Sequence, residues 1–178
     1  MHFLSPSECR DWCGARRIPL DANGTPLPPN RERYYVRAPI PRDFTQLLPF
    51  CRTFERLLQP RRACLLWITE SDIWDSNTNW HLYYRLRQSY GDQRQLYDAP
   101  GHLFLNYEAS DMVSFVQLAA LFGFDAHLIP DVTGYSRAFV SHDEFVEFSA
   151  NEANPELVNE FAATVGGSVI TGPLPPLN

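Results

Sequence analysis

The sequence predicts an α+β or α/β fold, with helices packed on a single layer of mixed sheet of four to five strands. Apolar residues recur every three or four positions in some segments, as in amphipathic helices, and form short continuous runs in others, as in buried strands. The two kinds of segment alternate after residue 62, and a strand–helix–strand order favours some parallel pairing. The length of 178 residues suits one domain. We expect it to span 1–172, followed by a Pro-rich flexible tail over 173–178.

The Arg-rich part, residues 1–62, is predicted to be mainly helical. Ser5-Pro6-Ser7-Glu8 combines a capping box with proline at the first helical position, so a short helix begins there. Residues 33–37 suit a short strand. A second helix begins at Pro41, with Pro49 as the point where it kinks or divides. Its apolar stripe is Phe44, Leu47, Leu48, Cys51, Phe54 and Leu58.

The acidic part, residues 63–172, is predicted to contain most of the sheet. Residues 63–69 are a continuous apolar run, too short for a good helix and typical of a central strand. A helix from about Trp80 to Tyr90 and a strand over 102–107 follow. The next helix is capped by Ser110 or Asp111 and ends at Gly123.

The last predicted elements begin with a hairpin, formed by strands over 125–129 and 136–140. Ser141-His142-Asp143-Glu144 matches a second capping box, which predicts a short helix containing Phe145, Val146 and Phe148. A final helix runs over about 155–164 and ends at Gly166-Gly167.

The charged residues exclude several chemistries. All fifteen basic side chains are arginine, which excludes a Walker A site, a Schiff-base lysine and a kinase-type lysine. No GxGxxG, GxSxG or HExxH motif occurs, and we expect no cofactor.

Residues 1–62 carry eleven Arg and six acids, whereas 63–178 carry four Arg and fifteen acids. The net charge of −6 opposes nucleic-acid binding.

The sequence also bears on compartment and metal content. No apolar run approaches the roughly 20 residues that span a bilayer, and the first residues lack the features of a signal peptide. We therefore expect a cytoplasmic protein without membrane contact.

Cys51 and Cys64 are expected to be buried thiols. Cys9 and Cys13 share a helix face, but no second ligand pair at zinc spacing accompanies them, so no metal is expected.

The densest group of polar residues lies just after the predicted central strand, where ligands bind in α/β sheets. Its acids are Glu70, Asp72 and Asp75, and His81 follows as a candidate general base. Together they suggest a metal-assisted hydrolase. The simpler interpretation is that acids, Asn, Ser and Thr before a helix serve as caps and favourable partners of its dipole.

A patch of binding-type residues lies on the following helix. Trp80, Tyr84 and Arg87 share one side of it, and these residue types dominate binding hot spots. The simpler interpretation is that half-buried aromatic rings lie at the core edge with the arginine laid over them.

The acids near the C-terminus suggest a basic partner. Asp143, Glu144 and Glu147 open an acidic stretch that continues to Glu160 without a basic residue. Such a surface speeds association with a positively charged protein. The leading hypothesis is a non-enzymatic binding module of the immunity or antitoxin type, which docks a basic partner such as a nuclease toxin. The alternatives are the metal-assisted hydrolase, a merely solvated acidic face, and internal neutralisation by the N-terminal arginines.

Overall fold

A computed structural model places eight strands of the described residues in one open sheet, in which every pair of neighbours is antiparallel. The structure describes residues 1–29, 34–59, 62–71, 73, 77, 81–132 and 135–171. The strands are β1 (His2–Leu4), β2 (Tyr34–Pro39), β3 (Ala63–Glu70), β4 (Gly101–Leu105), β5 (Asp125–Pro130), β6 (Arg137–His142), β7 (Phe145–Ala150) and β8 (Ser168–Thr171). Their spatial order is β1-β4-β3-β5-β6-β7-β2-β8. The helices are α1 (Pro6–Ala15), α2 (Phe44–Leu58), α3 (Leu82–Ser89), α4 (Ala109–Leu121) and α5 (Pro155–Val165), with a 3₁₀ turn at Asn106–Glu108.

The prediction of a mixed sheet with four to five strands is therefore wrong, although the chain does combine helices with a sheet. Strands β4 and β5 both pair antiparallel with β3. They run in the same direction with β3 between them, so the strand–helix–strand pattern produces no parallel pair among the described strands. The Arg-rich part also contributes two strands, β1 and β2, to this same sheet.

The predicted helix after residue 141 is also wrong, because this segment continues the sheet as β7. His142 pairs with Phe145, so Asp143 and Glu144 form the tight turn between β6 and β7. Asp143 has a left-handed backbone with φ of 48°, a conformation that Asp tolerates in turns. The polar quartet is thus a hairpin turn rather than a helix cap.

Most of the remaining local predictions are confirmed. Helix α1 has its capping box, in which the Ser5 hydroxyl accepts from Glu8 N–H and the Glu8 carboxylate accepts from Ser5 N–H. Helix α2 passes through Pro49 without dividing. Strands β5 and β6 form the predicted hairpin, and α5 ends at Gly166 in a left-handed conformation. The predicted tail, 173–178, lies outside the described residues.

Both faces of β3 are covered, which explains its continuous apolar run. Helices α2, α4 and α5 pack on one face against residues such as Leu66 and Ile68. Helix α1 packs on the other face, where Cys9 and Trp12 contribute to a smaller cluster that includes Leu65 and Trp67. Since successive strand residues point to opposite faces, a strand covered on both sides needs apolar residues at every position.

The burial of the cysteines agrees with a further expectation. All four cysteines are free and buried. Burial raises the pKa of the Cys9 and Cys51 thiols to about 12, so they are inert at neutral pH. None of the helices in the described ranges has both the length and the apolar content required to cross a bilayer.

His102 is a buried histidine on β4 that contacts Phe3 of β1 and Tyr83 of α3. His102 is fully buried, and its Nδ1 lies 3.1 Å from the Pro100 carbonyl oxygen. A carbonyl only accepts, so Nδ1 carries the proton and Nε2 accepts from the Tyr83 hydroxyl at 3.3 Å. Burial, helped by the Arg87 charge, lowers the pKa of His102 to about 3. The folded protein therefore holds His102 neutral under mildly acidic conditions.

This histidine should make the free energy of unfolding depend on pH. In the unfolded chain His102 protonates near pH 6.5, whereas in the fold it does so only near pH 3. The contribution of neutral His102 to the free energy of unfolding is therefore fully present above pH 6.5. It is lost as pH falls toward the folded pKa, by at most about 1.4 kcal/mol per pH unit. Urea unfolding of His102→Gln should show a shallower pH dependence than wild type between pH 4 and 6.5, whereas exposed His2→Gln should not. Parallel curves for His102→Gln and wild type would contradict this assignment.

Candidate functional site

The hydrolase residues predicted from the sequence are only partly described. Glu70 is exposed at the end of β3, whereas Asp72 and Asp75 lie outside the described residues. His81 is the N-cap of α3, where its Nδ1 accepts the Tyr83 backbone N–H at 3.2 Å. Partial burial lowers the pKa of His81, and its ring centroid lies 4.3 Å from that of Phe122. His81 is thus engaged in capping and packing.

The predicted hot-spot helix is turned mostly inward. Trp80 lies outside the described residues. Tyr84 is buried, and its hydroxyl donates to the Gln95 side-chain oxygen at 3.0 Å and accepts from Leu96 N–H at 2.9 Å. Arg87 is fully buried, so it offers no surface to a partner in this fold.

Arg87 instead organises the chain between α3 and β4. Its guanidinium bonds Asp92 at 2.5 Å and the Ala99 carbonyl at 3.0 Å. It also lies over the rings of Phe3 and Tyr84, at 5.1 and 5.6 Å from their centroids. The predicted placement of an arginine over aromatic rings is therefore present, but deep in the fold. Together Arg87 and Tyr84 fix the segment that precedes β4.

Several acids of the C-terminal half are neutralised within the fold. Strand pairing places Glu147 beside Arg37, with their charged atoms 2.6 Å apart and both side chains mostly buried. Among the described residues, the other pairs with N-terminal arginines are Arg16–Asp131, Arg42–Glu144 and Arg56–Glu160. Exposed pairs such as Arg42–Glu144 contribute little to stability, but they reduce the charge that these acids offer to a partner.

Another group of acids has no arginine partner among the described residues. Glu70 on β3 faces Asp125 on β5 in the strand register. The Asp125 carboxylate lies 2.7 Å from His142 Nδ1, and the Asp143 carboxylate lies 3.6 Å from His142 Nε2. Glu70, Asp125, His142 and Asp143 are hereafter called the acidic sheet end. Within the described part of the chain, it brings together across strands acids that no arginine neutralises.

Exposed apolar residues flank the acidic sheet end. Leu82 is 55 % exposed at the start of α3, and Leu121 and Phe122 are exposed at the end of α4. These three residues are hereafter called the apolar flank. A Cβ built on Gly123, next to Phe122, would lie 3.7 Å from the Asp143 carbonyl oxygen. The end of α4 therefore abuts the β6–β7 turn, and the apolar flank continues into the acidic surface.

An open cleft lies on the other side of Glu70, with a volume of about 510 Å³. Trp67 and Glu70 contribute from β3, Arg10 from α1, and Gln95 and Tyr97 from the segment held by Tyr84. This volume is within the range of sites for small molecules or for side chains of a partner. Glu70 is thus shared by the cleft and the acidic sheet end.

Sequence reasoning missed Asp125 and His142 as site residues. The sequence contained part of the information needed to place these two residues together, because 125–129 and 136–140 are predicted to pair as a hairpin. Continuing that hairpin by two residues places His142 beside Asp125, as the pair Ala126–Ser141 indicates. The capping-box interpretation of residues 141–144 assigned these side chains to a helix and so separated them from Asp125.

Comparison with known proteins identifies no relative. No family model, no curated protein and no solved structure matches this chain.

Proposed function

We propose that the protein is a non-enzymatic binding module of the immunity or antitoxin type, which docks a basic protein through the acidic sheet end. One observation carries the proposal. Glu144, Glu147 and Glu160 each pair with an arginine of this chain. Glu70, Asp125 and Asp143 are left without an arginine among the described residues, and Asp143 lies beside the end of α4, where Leu121 and Phe122 are exposed.

This combination suits a protein interface. Apolar area that becomes buried supplies affinity, while unneutralised charge speeds encounter and fixes orientation. The apolar flank and the acidic sheet end supply these two elements side by side. The adjoining cleft, with Trp67 at its floor and Tyr97 at its rim, has room for a side chain of the partner. The cationic surface with which a nuclease binds nucleic acid has the complementary chemistry.

The hydrolase alternative gains no support from the described residues. His81 already uses Nδ1 as a helix cap. The acids near His142 come from β5 and the β6–β7 turn rather than from the segment between β3 and α3. Of the acid–histidine set named from the sequence, Asp72 and Asp75 lie outside the described residues, so the hydrolase interpretation remains an untested alternative.

The proposal is tested by comparing how well two charge-matched variants capture a partner protein. One variant loses charge at the acidic sheet end, and the other loses the same charge elsewhere. The site variant is Glu70→Gln/Asp125→Asn/Asp143→Asn, and the control variant Asp11→Asn/Glu55→Gln/Glu156→Gln loses the same formal charge elsewhere. Lysate of the native host is passed over each immobilised protein in EDTA at low salt, and mass spectrometry quantifies what is retained. We expect wild type and control to retain a basic protein, and the site variant to retain at least about tenfold less.

Salt gives a second criterion, since raising NaCl from about 50 to about 500 mM should release the same protein. Circular dichroism and urea unfolding check that both variants are folded. The proposal fails if no basic protein is retained by wild type. It also fails if the protein retained is held equally by wild type and the site variant.

A further inference from the structure

We propose that Asp125, His142 and Asp143 bind one divalent transition-metal ion of the Zn²⁺ type. Each side chain offers one ligand atom, and these three atoms all lie within 4.8 Å of one another. Ligand atoms around tetrahedral zinc are separated by roughly 3.3 Å, as follows from bonds of about 2.0–2.2 Å. His142 Nε2 and Asp143 Oδ2 are already 3.6 Å apart. Asp125 contacts the other ring nitrogen, Nδ1, at 2.7 Å, so one of the two carboxylates must turn for both to meet the ion at the same nitrogen of His142.

The backbone holds these three residues together. Asp125 begins β5, His142 ends β6, and the two strands are neighbours in the sheet. Asp143 occupies the tight turn, and its backbone N–H donates to the Asp125 carboxylate at 3.2 Å. The ligands thus lie on paired strands and a two-residue turn rather than on a long loop, so little ordering is required when the ion binds.

The charge at this position favours a cation. Glu70 faces Asp125 across the β3–β5 pair, and like charges at facing positions are unfavourable. Among the described residues no arginine neutralises these carboxylates. A divalent ion would do so, and its path is open because the His142 side chain is 49 % exposed.

The donor set selects the class of metal. One imidazole nitrogen with carboxylate oxygens suits zinc and its transition-metal neighbours, whereas Ca²⁺ and Mg²⁺ prefer sites of oxygen alone. The buried cysteines do not contribute to this cluster. The expected coordination is therefore nitrogen and oxygen, with water at any remaining position.

Titration of the purified full-length protein with Zn²⁺ tests the site. After EDTA treatment and removal of the chelator, calorimetry should show one ion per chain. His142→Ala should weaken binding at least about tenfold, and Asp143→Asn should also weaken it, whereas His2→Ala should bind like wild type. The inference is overturned if wild type does not bind at one ion per chain, or if His142→Ala binds as tightly as wild type.

Co²⁺ provides a spectroscopic criterion that is independent of heat. The wild-type Co²⁺ complex should show visible d–d absorption without a near-ultraviolet thiolate band, and His142→Ala should lose the visible bands. A thiolate band would overturn the assignment by placing the metal on cysteine. The titration uses no partner and the capture experiment contains EDTA, so the two proposals fail separately although they share Asp125 and Asp143.

Discussion

Arg87→Met is expected to lower the free energy of unfolding by about 3 kcal/mol, because it leaves a buried carboxylate short of its partner. Arg87 is fully buried and bonds Asp92, which is itself only 7 % exposed. Asp92 keeps a second contact with Arg94 at 2.8 Å, so we expect the low end of the range known for broken buried pairs. Urea unfolding followed by circular dichroism measures the change.

The matched control for this substitution lies on the same helix. Arg85 is exposed on α3, so Arg85→Met should change the unfolding free energy by less than about 0.5 kcal/mol. Combining Arg87→Met with Asp92→Asn removes both charges and should cost less than the sum of the single changes. If Arg87→Met costs no more than Arg85→Met, the Arg87–Asp92 pair does not stabilise the fold.

Gly101→Ala is expected to cost about 2–3 kcal/mol, because helix α1 approaches the sheet more closely than a Cβ at this position allows. The added carbon would collide with Cys9 Sγ and would lie 2.9 Å from the Leu4 Cβ. Gly101 is held in place by pairing with both β1 and β3. The strand therefore cannot move away from one neighbour without disturbing the other, and thermal or urea unfolding should show the loss.

Two further variants separate this steric effect from a general effect of alanine. Gly14 lies in α1, where an added Cβ would meet no atom within 4 Å beyond the backbone of its own helix, so Gly14→Ala should stabilise by roughly 0.5–1 kcal/mol. Adding Cys9→Ala to Gly101→Ala removes the collision with sulfur and should restore part of the loss. A Gly101→Ala protein as stable as wild type would show that α1 does not constrain this position.

Local signals in the sequence were enough to place most helices and several strands. The Ser5–Glu8 capping box, the apolar stripe of α2 and the continuous apolar run of β3 depend on neighbours within a few residues. Such patterns report which face of an element is buried. They do not report which strands become neighbours, and so the sheet was predicted to be mixed and too small.

The candidate site depended on that missing information. Glu70 and Asp125 come together because β3 pairs with β5. Arg37 reaches Glu147 only because β2 pairs with β7. The separation of charge along the chain was visible in the sequence, but which acids are neutralised is decided by strand order. The polar quartet at 141–144 was ambiguous for another reason, since helix caps and tight turns use the same residue types.

The position of β2 in the sheet has a consequence for how the chain folds during synthesis. Strand β2 has β7 and β8 as its two neighbours, and the Arg37–Glu147 contact closes a loop of 110 residues. Contacts of such long range slow folding, and an unpaired strand edge invites aggregation in the meantime. The segment containing Tyr35, Val36 and Ala38 therefore cannot pair with β7 on the ribosome until residues 145–150 have emerged.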